Sequence, residues 1–169
     1  AYFYHGGDSE PFVREALSKY RRESFCLATK LPSGPIKDKE KSTEEIFNGQ
    51  LKKCGVDYFD FYLLHAVSED NMWIFEENNS YDYLTKQKKL GRIRHLGFSY
   101  HGNLEFFLKL IDKYKWDFVQ LQINYLDWED EGVQSRKCHE VAVKHGKDII
   151  VMEPVKGGAL ANLPPKAAE

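Results

Sequence analysis

The chain has 169 residues, 42% hydrophobic and 30% charged, and its 24 Lys+Arg against 26 Asp+Glu leave a net charge of −2. Aromatic residues make up 14%, which excludes a solvated disordered chain and predicts a core burying about 70% of the unfolded surface. Near-neutral charge excludes nucleic acid or anionic membrane as the main partner. No apolar run approaches the roughly 20 residues of a membrane span, and the opening AYFYHGGDSE has neither the basic start nor the apolar stretch of a signal peptide, so a cytoplasmic protein is expected.

In chain order, a first helix is predicted over residues 10–20, with Ser9 as its cap and Pro11 in its first turn. Residues 25–30 (FCLATK) read as a strand, and 42–54 as a helix opening on the capping box of Ser42 and Glu45 and closing at Gly55. A second strand at 59–65 (FDFYLLH) is followed by a mixed stretch, 70–90, predicted as a loop and then a helix from about Ser80 to Gly91. The third strand, 93–99 (IRHLGFS), leads into a helix over 103–114 capped by Asn103. The fourth, 118–124 (FVQLQIN), leads into a helix over 133–145 that stops at Gly146. The fifth strand is 148–154 (DIIVMEP), and the final ALANLPPKAAE resembles the start of another helix.

These strands are near-continuous apolar runs, which suits parallel strands covered on both faces. Their alternation with helices predicts an α/β protein with right-handed crossovers, either an open doubly wound sheet or a (β/α)8 barrel. Lys30, His65, Ser99, Gln122 with Asn124, and Glu153 all fall in the last residues of successive strands. A barrel collects its active site at that end, whereas an open sheet concentrates phosphate binding in one glycine-rich turn. No G-x-G-x-x-G or G-x-x-x-x-G-K-[ST] occurs, so the expected fold is a TIM (β/α)8 barrel. With about five βα units in residues 1–169, the expectation is one partial barrel domain, truncated at both ends.

Cys26, Cys54 and Cys138 form no C-x-x-C pair and are read as free thiols, with no metal site predicted from them. Lys30 and His65 end apolar strands, and Tyr4 lies in the aromatic cluster YFYHGG. Each has an ordinary structural reading: a snorkelling lysine, a hydrogen-bonded core histidine, a packed loop aromatic. Converging on one mouth, the three make a proton-transfer site. A phenol is a poor acid at neutral pH, a neighbouring ammonium favours its ionised form, and an imidazole relays a proton or orients a carbonyl.

At this point the sequence resembles the aldo-keto reductase family over essentially its whole length. AYFYHGGDSE is similar to the family's D-T-A-x-x-Y-G…S-E segment, LATK to its lysine strand, DYFDFYLLH to its D-x-x-D-x-x-x-x-H strand, GRIRHLGFS to its G-K-I-R-x-I-G-x-S, QLQINYLD to its Q-x-x-Y-N region and VMEPVKGGAL to its P-L-x-x-G-x-L loop. MEPVKGG and NYLD resemble a bacterial and archaeal branch that often carries a ferredoxin-like cysteine cluster beyond the barrel.

The resemblance implies a reductase of aldehyde or ketone carbonyls that uses NADP(H) or NAD(H), with Tyr4, Lys30 and His65 catalytic. The family's fourth catalytic group, an aspartate paired with the lysine, would precede Ala1. Ser99 and Gln122 are implied contacts of the nicotinamide carboxamide, although Tyr100 stands where the family usually has Asn. Met152 stands where many members stack a tyrosine on the nicotinamide, and Glu153 is either a cofactor contact or a structural ion pair. Two other readings stand beside this one: a non-catalytic nicotinamide-binding or regulatory barrel, and metal-assisted hydrolysis by His65, His101 and Glu153. Trp73 and Phe75 are expected to wall the substrate pocket or cap the core.

Overall fold

The computed structural model describes residues 2–161; the helix start expected in the final residues lies, over 162–169, outside the described residues. Five strands, β1 (Ala28–Leu31), β2 (Phe59–Val67), β3 (Ile93–Tyr100), β4 (Phe118–Gln122) and β5 (Asp148–Met152), form one parallel sheet in the order β1-β2-β3-β4-β5. The helices are α1 (Ser9–Leu17), α2 (Gly34–Lys37), α3 (Thr43–Cys54), α4 (Met72–Glu77), α5 (Ser80–Lys89), α6 (Leu104–Lys113) and α7 (Ser135–Lys144). Sequential parallel neighbours joined through helices are the repeating unit of a (β/α)8 barrel, and this chain forms part of one.

The register divides each strand between two faces. Lys30 pairs with Leu63, Leu63 with Gly97, Gly97 with Phe118, Ser99 with Gln120, and Gln122 with Met152. Because side chains alternate with period two, these positions share one face. The opposite face carries Leu31, Tyr62, Leu64, Leu96, Phe98, Tyr100, Val119 and Leu121, all buried in one core with Ile46 and Phe47 of α3, Leu84 of α5 and Phe107 and Leu110 of α6. The helices therefore cover the outside, and the other face is the inside of the partial barrel. Its floor carries buried Phe118 edge-on at 5.2 Å to half-buried Phe61, which stacks at 5.0 Å on exposed His95.

At the opposite, N-terminal end of the strands, buried Asp60 bonds Arg22 (2.6 Å), Arg94 (2.8 Å) and the Leu27 amide (2.8 Å). Burial alone would raise the Asp60 pKa, but these donors hold it below the ordinary carboxylate value.

Several boundaries differ from the sequence reading. β1 begins at Ala28 rather than residue 25, although the Leu27 carbonyl already accepts from the amides of Asp60 and Phe61. Ser9 is the first residue of α1, not its cap. The chain enters that helix from the tight turn Tyr4–Gly7, and the Asp8 amide bonds the carbonyls of His5 and Tyr4. The stretch after residue 70 is not a loop, because Met72, Ile74 and Phe75 bury one side of α4 against the core. Phe75 thus packs the core, while Trp73 is exposed with its indole N–H on the Asp70 carbonyl. The helix predicted over 133–145 starts at Ser135. The capping box of Ser42 and Glu45, the left-handed Gly55 and the Asn103 cap are all present.

Candidate active site

Lys30, His65, Ser99, Gln122 and Met152 occupy the inner face at or near the C-terminal ends of β1 to β5 in turn. His65 is aimed by an irregularity in β2. The ladder to β3 shifts between Leu64 and Val67, and Ala66 adopts φ 47°, a conformation non-glycine residues rarely take. Two side-chain bonds hold it there: the Ala66 amide donates to Ser99 Oγ (2.8 Å), and Asn71 Nδ2 donates to the Ala66 carbonyl (2.8 Å). Ser99 is therefore part of the scaffold that fixes His65, and its hydroxyl retains its own proton to donate.

Tyr4 arrives from outside the sheet. His5 at φ 55° and Gly6 at φ 65° fold the segment back so that Tyr4 Oη lies 3.5 Å from His65 Nε2, with the two rings edge-on and 5.9 Å apart. Tyr4 is 49% exposed, so its hydroxyl is open to a small molecule. Burial lowers the Lys30 pKa, and Glu153 is the acidic group that pulls it back upward. β1 and β5 are the two edges of the sheet, and the pull between Lys30 and Glu153 fits a sheet curled so that its edges face each other. The His65 pKa is lowered to about 4, first by burial and then by the positive charge of Lys30, with His101 adding to it. At neutral pH the imidazole is uncharged.

Beside this trio, at the ends of β4 and β5, lies a polar network. Gln122 Nε2 donates to Asp127 Oδ2 (2.6 Å) and its Oε1 meets His101 Nδ1 at 2.7 Å. Asn124 Nδ2 also donates to Asp127 Oδ2 (2.6 Å) and to the Glu153 carbonyl (3.2 Å). Lys156 pairs with the other carboxylate oxygen, and these donors hold the Asp127 pKa down despite burial. Carboxylate oxygens only accept, so the Gln122 amide must turn its NH2 to Asp127 and its carbonyl to His101, and the hydrogen then sits on His101 Nδ1. Met152 is half-buried on the same face, and Glu153 is exposed at φ 53°. Tyr100 points to the outer core and donates to the Asn103 carbonyl (2.7 Å).

The structure thus joins Tyr4 with His65 directly and Lys30 with His65 and Glu153 electrostatically. Ser99, Gln122 and Met152 lie on the same face. The sequence reading missed Asp127 and Lys156, which organise Gln122. The signal was there in Asn124-x-x-Asp127, since an Asx carbonyl accepting the amides of the next residues closes a turn. Among the described residues no group of three His, Cys, Asp or Glu side chains comes together as metal ligands would, and His65, His101 and Glu153 do not form one. Cys54 and Cys138 are buried thiols pushed up to about 12, and Cys26 is exposed.

The inner face of a partial α/β barrel, with an amine and an imidazole at its strand ends and a phenol brought over them by the Tyr4–Gly7 turn, is the class of fold this site sits on. The sequence profile of the Aldo/keto reductase family matches residues 1–167, and the chain belongs to that family. Solved structures share its fold: aldo-keto reductase AKR11C1 from Bacillus halodurans in its holo form (TM-score 0.67, 24% identity, 95% of this chain and 51% of that one), the thermostable aldo-keto reductase Tm1743 in complex with the inhibitor epalrestat (0.74, 21%, 99% and 57%), and an aldo/keto reductase from Brucella melitensis (0.67, 23%, 89% and 55%). The chain spans about half the length of these structures. No curated protein matches it.

Proposed function

We propose that this chain carries the proton-transfer half of a nicotinamide-dependent reductase that converts aldehyde or ketone carbonyls to alcohols. The observation that carries the reading is the approach of Tyr4 Oη to His65 Nε2 beside the charge of Lys30. With His65 neutral at physiological pH, the phenol of Tyr4 is the group that gives a proton to the carbonyl oxygen. The ammonium of Lys30 stabilises the negative charge the phenol takes on, and the His65 imidazole orients the carbonyl through its ring nitrogen. Family membership supports the oxidoreductase class, and the cytoplasm is the compartment the composition favours.

The mouth suits a nicotinamide. Met152 offers a polarisable thioether to a ring face, while Ser99, 0% exposed, and Gln120 Oε1, a buried acceptor with no hydrogen-bond partner among the described residues, share that face without reaching its surface. When bound, NADP(H) or NAD(H) supplies the hydride for the carbonyl carbon. Gln122 and Glu153 border the same place.

The test is Tyr4→Phe in the complete protein: carbonyl turnover falls by about a hundredfold or more while NADPH or NADH affinity, followed by fluorescence titration, stays within about twofold. Unchanged turnover refutes the assignment. The second reading, a nicotinamide-binding or regulatory barrel without turnover, is favoured by Tyr100 and Met152, which stand where the family usually has Asn and a ring-stacking tyrosine. Tight cofactor binding with no reduction across a panel of carbonyls would establish it.

A further inference from the structure

Behind the inner face, on its helix side, lies a closed set of buried polar side chains. Gln50 of α3 is 0% exposed and Glu10 of α1 is 3% exposed. Gln50 Nε2 donates to Glu10 Oε1 (2.8 Å) and to the backbone carbonyl of Lys30 (2.9 Å), and lies 3.3 Å from Thr29 Oγ1. Thr29 Oγ1 itself donates to Glu10 Oε1 (2.8 Å), and the Tyr62 hydroxyl donates to Gln50 Oε1 at 2.5 Å. The carbonyl of Lys30 and the carboxyl of Glu10 are acceptors, so Gln50 turns its NH2 toward them and receives Tyr62 on the oxygen. One orientation of the Gln50 amide satisfies every bond of the set, leaving only Glu10 Oε2 without a partner among the described residues.

The set touches each chain segment that delivers a catalytic group. Glu10 follows Tyr4 by six residues along the turn and first helical turn. Thr29 and the Lys30 carbonyl belong to β1, and Tyr62 precedes His65 by three residues in β2. Apolar side chains of similar volume would fill these positions at lower desolvation cost, and Glu10 Oε2 has no hydrogen-bond partner among the described residues. A polar set with one satisfied arrangement and one orphaned oxygen is a costly way to stabilise a core and an effective way to fix register. We propose that the Glu10–Gln50–Tyr62 network is the positioning element of the Tyr4–Lys30–His65 site, with Gln50 the residue that locks the three segments together. It rests on the reductase reading above.

The experiment compares Gln50→Leu, Tyr62→Phe and Tyr4→Phe with the parent in the complete protein. Gln50→Leu is expected to lower kcat for carbonyl reduction about ten- to a hundredfold, since small misplacements of reacting groups carry penalties of that size, with cofactor Kd unchanged and a cooperative melt retained. Tyr62→Phe keeps the ring, removes one bond and is expected to cost about threefold in kcat, so it decides the matter if Gln50→Leu does not fold. A second readout needs no turnover: the pH midpoint of Lys30 acetylation, followed peptide by peptide by mass spectrometry, moves toward the ordinary lysine value in both variants as the side chain loosens. Parent-like kcat and labelling midpoint in a folded variant overturn the proposal, as does parallel loss of kcat and cofactor affinity in proportion to the unfolded fraction. If Tyr4→Phe keeps full turnover, the reductase reading fails instead, and the Lys30 midpoint alone then decides whether Gln50 positions that lysine: movement upholds it and constancy rejects it.

Discussion

His65 is the residue whose surroundings and chemistry are most tightly linked. Its ring is half-buried beside the Lys30 ammonium, and both influences disfavour the imidazolium, leaving a pKa of about 4 in the fold against about 6.5 in an unfolded chain. Between those values the unfolded state binds a proton that the folded state does not. Stability therefore falls as pH drops from about 6.5 to about 4, and this group contributes no further change below that. In His65→Gln, neutral throughout, the loss is absent. Across that window the parent should lose up to about 2 kcal/mol more than the variant, a figure reduced for the partial exposure of the ring. Thermal or urea melts at stepped pH measure it, and parallel pH profiles would show that the imidazole is not held neutral. Lys30 and His65 were legible in the sequence because each closes an apolar strand run, whereas Tyr4, in the turn before α1, was legible only through its resemblance to the family's tyrosine segment. Two partners were not: Glu153, 123 residues beyond Lys30, and the Ala66 amide on Ser99 Oγ. They depend on sheet curvature and on a backbone irregularity that no local pattern encodes.

At the scale of elements, α3 matters most because it carries Gln50 to the back of the site. Ser42 Oγ accepts from the Glu45 amide (3.2 Å) and Glu45 Oε2 accepts from the Ser42 amide (2.8 Å), so two orphan donors of the first turn are satisfied reciprocally. Gly55 ends the helix at φ 67°, where a Cβ would come 2.8 Å from the Arg14 side chain. Ser42→Ala should cost about 1 kcal/mol in chemical denaturation with an unchanged m-value. A loss below about 0.3 kcal/mol would mean that tertiary packing, not the cap, fixes where α3 begins. This helix was readable from S-T-E-E and the closing glycine, as α6 was from Asn103, whose side chain takes the Phe106 amide at 2.9 Å. α4 was not, because its six residues are too few for a helical period to stand out and its three buried apolar side chains find their partners only in the assembled core. The Ser9 misreading has the same origin: a backbone turn set by His5 and Gly6 begins α1 without any side-chain cap.

Across the whole molecule, the strand order and the inner face depend on how closely neighbouring strands approach. Gly97 shows this most sharply. It lies mid-strand in β3, opposite Leu63 on one side and Phe118 on the other, and a Cβ there would meet the Phe118 carbonyl oxygen at 2.5 Å and its ring at 2.8 Å. The carbonyl belongs to the backbone and cannot rotate away as a flexible side chain would, so β4 must move. The Phe118 ring is confined as well, packed edge-on to Phe61, which is itself stacked on His95. Overpacking a buried position against backbone costs about 1–3 kcal/mol, and Gly97→Ala should lower stability by the upper part of that range. It should also displace β3 from β4 just below Ser99, which holds the Ala66 backbone and through it His65. On the reductase reading proposed above, loss of carbonyl turnover by the complete protein is therefore expected to exceed the loss of folded protein at 25 °C, measured by circular dichroism on the same sample. A Gly97→Ala protein with parent stability and parent turnover would mean that the strands have slack at this layer, and the inner face would then be too loosely packed to fix the distance between Tyr4 and His65.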